Sequence, residues 1–155
     1  VRKTLQGFRH VDMDTGLSNR RALLERLTDM LYLTQRYKRP LSLVVFHVCN
    51  HDGLSGNLDP DDLSQCYEEL ADQLQLAQRA SDLAARISAD TFALMLPETP
   101  EDGAVIVADR MSETLQRRNS IDATIQISSG VVSSEDGEIE ARDMIAAAEA
   151  LARPE

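Results

Sequence analysis

The chain has little of what would place it in the oxidising, membrane or nucleic-acid-binding classes. It carries two cysteines, Cys49 and Cys66, in 155 residues, too few for a disulfide framework. Its longest apolar run, Leu41 to Val48 broken by Ser42 and His47, is far short of a membrane span. No signal peptide is visible, and a reduced, cytoplasmic setting is expected. Basic side chains are scarce, 16 against 26 acidic for a net charge of −10. A field of that sign repels polyanions and argues against nucleic acid or an anionic membrane surface as partner, while a small anionic ligand is allowed where arginines cluster. Internal repeats and low-complexity tracts are absent. What remains suits one domain, long enough to bury roughly two-thirds of its unfolded surface in a single core. The chain starts at Val1 without an initiator Met, so a piece of a longer protein is expected.

Periodicity and caps give the order of elements. Val1, Leu5 and Phe8 recur at helical spacing, as in the tail of an upstream linker helix over residues 1–11. Ser18 can cap a helix whose apolar face is Leu23, Leu24, Leu27, Met30 and Leu31, ending before Pro40. Leu41 to Val48 is too short and too apolar for a typical helix and reads as a buried central strand. Asp59-Pro60-Asp61-Asp62 is a strong helix start, with a capping carboxylate, proline at the first helical position and acids at the positive end of the dipole. Leu63, Cys66, Tyr67, Leu70 and Leu74 make its buried stripe. Leu83 to Ile87 and Thr91 to Leu96 form a hairpin around Ser88-Ala89-Asp90. Thr99-Pro100-Glu101-Asp102 opens another helix with Val105, Ala108, Met111 and Leu115 inward. A strand lies within Ala123 to Val132, an acidic loop over Ser133 to Glu140, and a last helix over Ala141 to Ala152 through Met144, Ile145, Ala148 and Leu151. The expected fold is α+β: a ferredoxin-like, palm-type βαββαβ antiparallel sheet with flanking helices.

Three separated stretches then carry a resemblance. Asp12-Met-Asp-Thr-Gly-Leu-Ser-Asn-Arg-Arg21 is similar to a D-x-L-T-G-L-x-N-R opening, with Asp14 where Leu is usual. Ser88, Ala89, Asp90, Thr91 and Phe92 stand where a Gly-Gly-Asp/Glu-Glu-Phe turn would stand, and Arg79-Ala-Ser-Asp82 precedes that turn by five residues as an RxxD motif. The chain resembles the GGDEF domains of the diguanylate cyclase family, in a degenerate form spanning residues 12–155.

The resemblance implies a phosphoryl-transfer site with two divalent cations on hard oxygen ligands. Those oxygens come from an Asp at the end of the first central strand and from the fourth residue of the turn. Here these positions hold His47 and Thr91, of which one is a poor magnesium ligand and the other brings no charge. Asp90 persists, and one carboxylate cannot hold two metals. The guanine-reading Asn and Asp of the family fall on Ser55 and Ser64, and the small glycines on Ser88 and Ala89. Arg153-Pro154-Glu155 stands where the family often carries Lys. The expectation is therefore no catalytic residue, no metal, no cofactor and no enzyme activity.

His47, Cys49, His51 and Asp52 also invite a zinc reading, since strand alternation would put His47, Cys49 and His51 on one face; the spacing matches no strong zinc signature, and drift at a vacated site is the simpler account.

RxxD is the family's inhibitory, product-binding motif. Arg79, Asp82 and Arg110 are accordingly the candidate contacts for cyclic di-GMP, the guanidinium forking onto a guanine edge or a phosphate oxygen, and the carboxylate accepting guanine N–H groups or holding the arginine. An ordinary surface ion pair is the alternative for Arg79 and Asp82, and Arg86 reads as a scaffold residue of the strand. The resemblance further implies adjoining signalling domains such as an EAL phosphodiesterase and a possible homodimer. A ligand-free scaffold is the rival role, with GTP as an allosteric ligand of the old pocket a third.

Overall fold

The computed structural model describes residues 10–117 and 119–153. From Arg20 onward the helices and strands among the described residues follow in the order α1 Arg20–Tyr37, β1 Leu41–Val48, α2 His51–Asn57, α3 Pro60–Ala77, β2 Leu83–Ser88, β3 Thr91–Pro97, α4 Glu101–Leu115, β4 Ile127–Ser134 and α5 Ala141–Ala152. The strands form one antiparallel sheet of order β2-β3-β1-β4. The expected α+β, palm-type architecture is therefore what the chain adopts. Of the linker-helix expectation for residues 1–11, positions 1–9 lie outside the described residues, as do Pro154 and Glu155; His10 is helical and Val11 bridges to Ser18.

β1 is central because both its faces are apolar. Val44, Phe46 and Val48 join Phe92, Leu94 and Leu96 of β3 in a core under α3 and α4. Leu41, Leu43 and Val45 join Ala93 and Met95 in a second core under α1 and α5. Two layers of helices on one sheet bury both sides of the pleat, which is why the strand reads as a continuous apolar run.

α5 approaches β4 unusually closely. Gly130, opposite Val45, sits so near that an added Cβ would lie 2.4 Å from the Ala148 carbonyl oxygen and 2.7 Å from the Ala152 nitrogen. Only the missing side chain allows this contact.

Several local expectations change. Asn19, not Ser18, caps α1, its side-chain oxygen accepting from the Ala22 N–H at 3.0 Å; Ser18 instead bridges to Val11 and Ala85. Val105 and Leu151 are exposed, with Ala104 and Ala152 taking the inward positions. β4 begins at Ile127 and runs on through Ser133 and Ser134, so the acidic loop is shorter than expected. Thr99 does not cap α4, whose N-cap residue is Pro100. The seven-residue α2 was not anticipated, and it decides the zinc reading. β1 ends at Val48 and His51 opens α2, so His47, Cys49 and His51 do not share a strand face. Among the described residues no group of three or more His, Cys, Asp or Glu could hold a metal ion.

Candidate functional site

The hairpin of β2 and β3 carries a cluster of paired polar and charged side chains at each end. At its turn, antiparallel register sets His47 of β1 directly opposite Thr91 of β3. Asp90 lies beside them and is the hub. One oxygen, Oδ2, meets His47 Nε2 at 3.1 Å. The other, Oδ1, accepts from the Ser88 hydroxyl at 3.1 Å, the Thr91 hydroxyl at 2.9 Å and Arg153 Nη2 at 3.1 Å. Arg153 follows α5, and the same Nη2 donates to Thr91 Oγ1 at 2.8 Å. The close packing at Gly130 thus delivers a guanidinium to the turn. Burial pushes the Asp90 carboxyl up, but hydrogen bonds from Thr91, His47 and Ser88 and the Arg153 charge outweigh it, leaving its pKa below the usual carboxylate value. Both oxygens are engaged from within the chain, so a cation would have to displace Arg153 or His47.

Behind the turn, Arg86 is buried. Its Nη1 reaches Asp12 and Asp14, each at 3.3 Å, and its Nη2 donates to the Ala89 carbonyl at 2.6 Å. The guanidinium lies 4.8 Å from the centroid of the Tyr67 ring and 5.7 Å from that of Phe92. Asp14 therefore pairs with the residue that pins the turn, and Arg86 is scaffold in the sense expected. Tyr67 is also hydrogen-bonded to His51, and burial pushes its hydroxyl pKa up. Ser55 on α2 and Ser64 on α3 are exposed.

At the open end of the hairpin stands Arg79-Ala-Ser-Asp82. The Asp82 side chain is 2% exposed, whereas that of Arg79 is 58% exposed. Asp82 accepts from the Arg79 backbone N–H at 2.9 Å, from Nε at 3.2 and 3.1 Å and from Nη2 at 3.0 Å. These hydrogen bonds raise the Arg79 pKa above its already high value. The carboxylate thus holds the arginine and is itself covered. Arg79 Nη2 also donates to Thr99 Oγ1 at 2.9 Å and to the Pro97 carbonyl at 3.3 Å. Thr99 is a site residue that the sequence reading treated only as a helix signal; the spacing Arg79 to Thr99 carries no local motif, so nothing in the chain alone joins them. Arg110 lies exposed on α4, its carbonyl accepting from the Thr114 hydroxyl. By helix rise it stands roughly 15 Å along α4 from the end that Arg79 touches.

Comparison with known proteins now adds the family. The profile of the family described as "Diguanylate cyclase, GGDEF domain" matches residues 9–153. The chain is 28% identical over 133 residues to "Probable diguanylate cyclase DgcC" of Escherichia coli K12, covering 84% of this chain and 36% of that protein. It thus spans about a third of that curated relative's length. Among solved structures, the FimX GGDEF domain of Pseudomonas aeruginosa superposes with a TM-score of 0.85 at 19% identity, over 92% of this chain and 91% of that one. The GGDEF domain of DgcB from Caulobacter crescentus, solved in complex with c-di-GMP, superposes with a TM-score of 0.82 at 19% identity, over 91% and 84%. At such identities the structures speak for the fold, and the profile, running through both ends of the hairpin and all four strands, speaks for the family. The chain belongs to the GGDEF, or diguanylate cyclase, family of cyclic di-GMP signalling.

Proposed function

We propose that this GGDEF domain does not synthesise cyclic di-GMP and instead binds it, serving as a regulatory module of a longer signalling protein. The observation that carries the reading is the state of Arg79: its guanidinium is anchored by a covered carboxylate yet is itself more than half exposed, and Nη1 has no partner among the described residues. An oriented, outward-facing cation on a chain of net charge −10 is suited to an anionic ligand. Arg110, exposed on α4, is assigned the second contact, and Asp82 the role of holding Arg79. The DgcB domain of like fold was solved with c-di-GMP, which makes that ligand the one to test.

The residues at the turn support the reading that synthesis is lost. His47 and Thr91 supply no second carboxylate, and Asp90 is bound by His47, Ser88, Thr91 and Arg153. The residues present do not fit a two-cation centre, which needs several hard, charged oxygens.

A scaffold role favours the same losses without a ligand. Its specific support is that Arg79 Nε and Nη2 are fully engaged inside the domain, as in a structural ion pair. In that case the domain orients an adjoining domain, such as an EAL phosphodiesterase, or a second copy.

Isothermal titration calorimetry with cyclic di-GMP on the wild type and Arg79→Ala separates the two. A charge-assisted hydrogen bond is worth about 1.5–3 kcal/mol, so the variant should bind roughly ten- to hundredfold more weakly. No saturable heat from folded wild type would leave the scaffold role. Turnover of GTP with magnesium by the wild type would overturn the proposed inactivity.

A further inference from the structure

We propose that the outer edge of β4 is a self-pairing surface, on which β4 of a second copy of this chain docks antiparallel about a twofold axis, joining the two four-stranded sheets into one. β4 ends the strand order β2-β3-β1-β4, so among the described residues no strand lies on its far side. Which main-chain groups face that side follows from two bonds. The Val48 N–H donates to the Asp90 carbonyl, toward β3, and the Cys49 N–H donates to the Gln126 carbonyl, toward β4. Odd-numbered residues of β1 therefore turn their N–H and C=O to β4. His47 stands opposite Ser128 and Val45 opposite Gly130, so the even-numbered residues of β4 bond to β1. Ser129, Val131 and Ser133 are left with N–H and C=O directed outward. The Ile127 N–H, next in that row, is already taken by the Gln116 side chain at 2.9 Å.

Sheet edges are ordinarily guarded against such pairing, and the other edge of this sheet is. On β2 the Ala84 N–H donates to the Gln78 side chain at 3.1 Å and the Arg86 N–H to the Ser18 carbonyl at 2.8 Å, with Ser18 a bridge partner of Ala85. β4 lacks the usual guards. Ile127–Ser134 contains no charged residue and no proline, and its pairing with β1 runs from end to end without a bulge. Exposed apolar side chains border the edge on both faces. Val105, 41% exposed, shares with Asp109, Ser112 and Gln116 the stripe of α4 that reaches Ile127. Leu151 of α5, 57% exposed, has its Cβ beside Gly130.

A second copy is the occupant because the strand is complementary to itself. With Val131 on the twofold, Ser129 meets the partner's Ser133, each outward residue exchanges two N–H···O bonds, about six in all, and within the strand no like charges are opposed. Elsewhere two chains of net charge −10 repel one another, so contact is favoured where charge is lacking. β1 separates this edge from the β2–β3 hairpin, and both ends of the hairpin stay free.

Sedimentation equilibrium of the chain should show a reversible dimer. Amide hydrogen exchange followed by NMR locates the contact: Ser129, Val131 and Ser133 should slow about tenfold when about nine-tenths of the chain is paired, since exchange then runs through the monomer. Ser128, Gly130 and Val132, bonded to β1, should be protected already in the monomer. Ser129→Pro removes an outward N–H without touching the ladder to β1, and should weaken dimerisation about tenfold or more, as two hydrogen bonds are lost per dimer. Raised salt should tighten the dimer by screening the repulsion. A monomer at every concentration overturns the proposal, and so does a dimer in which the Ser129, Val131 and Ser133 amides stay fast or which salt dissolves. None of these three outcomes needs a variant to fold. A folded Ser129→Pro that pairs as tightly as wild type overturns it as well.

Discussion

The two ends of one hairpin each pair an arginine with an aspartate and differ in how the carboxylate is covered and shared. At the open end the Asp82 side chain is 2% exposed and accepts from Arg79 alone, whose side chain faces out; at the turn the Asp90 side chain is 24% exposed and gathers four side chains, of which Arg153 donates to it and to Thr91 through Nη2. The first arrangement holds one arginine firmly with Nη1 left to solvent, and the second engages both oxygens of its carboxylate internally. What matters for ligand chemistry is therefore how fully the carboxylate is covered and how many partners share it. A covered carboxylate orients its arginine, whereas a carboxylate shared by hydroxyls, imidazole and guanidinium has little left to offer a metal.

The strongest way to break the contrast is to remove the support behind the turn. Arg86→Ala strips a buried guanidinium from Asp12 and the Ala89 carbonyl and should cost about 3 kcal/mol or more in denaturant unfolding. A loss below about 1 kcal/mol would show that the turn does not depend on it.

Gly130→Ala acts on the delivery of Arg153. Its Cβ would collide with the backbone of α5, and overpacking of this kind costs about 2–3 kcal/mol. Equilibrium unfolding should record that loss, while any cyclic di-GMP affinity of the folded fraction stays as in wild type, because Arg79 is held from Asp82, Pro97 and Thr99.

Asp82→Asn sharpens the other end. It removes the charge that orients Arg79 while keeping the shape, and should weaken cyclic di-GMP binding by roughly tenfold, about 1.4 kcal/mol, even though the Asp82 side chain is only 2% exposed. Unchanged affinity in calorimetry would mean that Arg79 needs no orienting partner.

The smallest effect is in acid. The folded pKa of Asp90 lies below its unfolded value, so its contribution to stability is fully present above the unfolded value near pH 4 and is lost as pH falls through the lower folded pKa. The difference between wild-type and Asp90→Asn unfolding free energies should be about 1 kcal/mol or less at neutral pH and vanish in that window. Glu69 is also held below its usual value, by its hydrogen bond to the Ser120 hydroxyl, and the subtraction removes its share. A difference that persists undiminished to pH 2 would remove Asp90 as the cause.

Much of the fold was legible because the signals were local. The apolar run of Leu41 to Val48, the Asp59-Pro60 helix start and the short connection after Ser88 each specify an element from neighbouring residues. What failed also failed locally. Asn19 and Ser18 are equally able caps, and only docking of Ser18 against Ala85 chose between them. Val105 and Ala104 both suit an inward position, and contact with the sheet selected the smaller. The helix at His51 is short and rich in glycine, so neither propensity nor periodicity announces it.

By itself the sequence determined the order of the four strands and four longer helices, the family landmarks and the residue types at the hairpin turn, since these depend on residue type and spacing along the chain. Tertiary structure alone decided that Arg153 reaches Asp90 from 63 residues away, that Asp14 pairs with Arg86 and that Thr99 receives Arg79. The physical reason is that a hydrogen bond depends on distance and direction between side chains, and those are fixed only once the sheet and helices have packed.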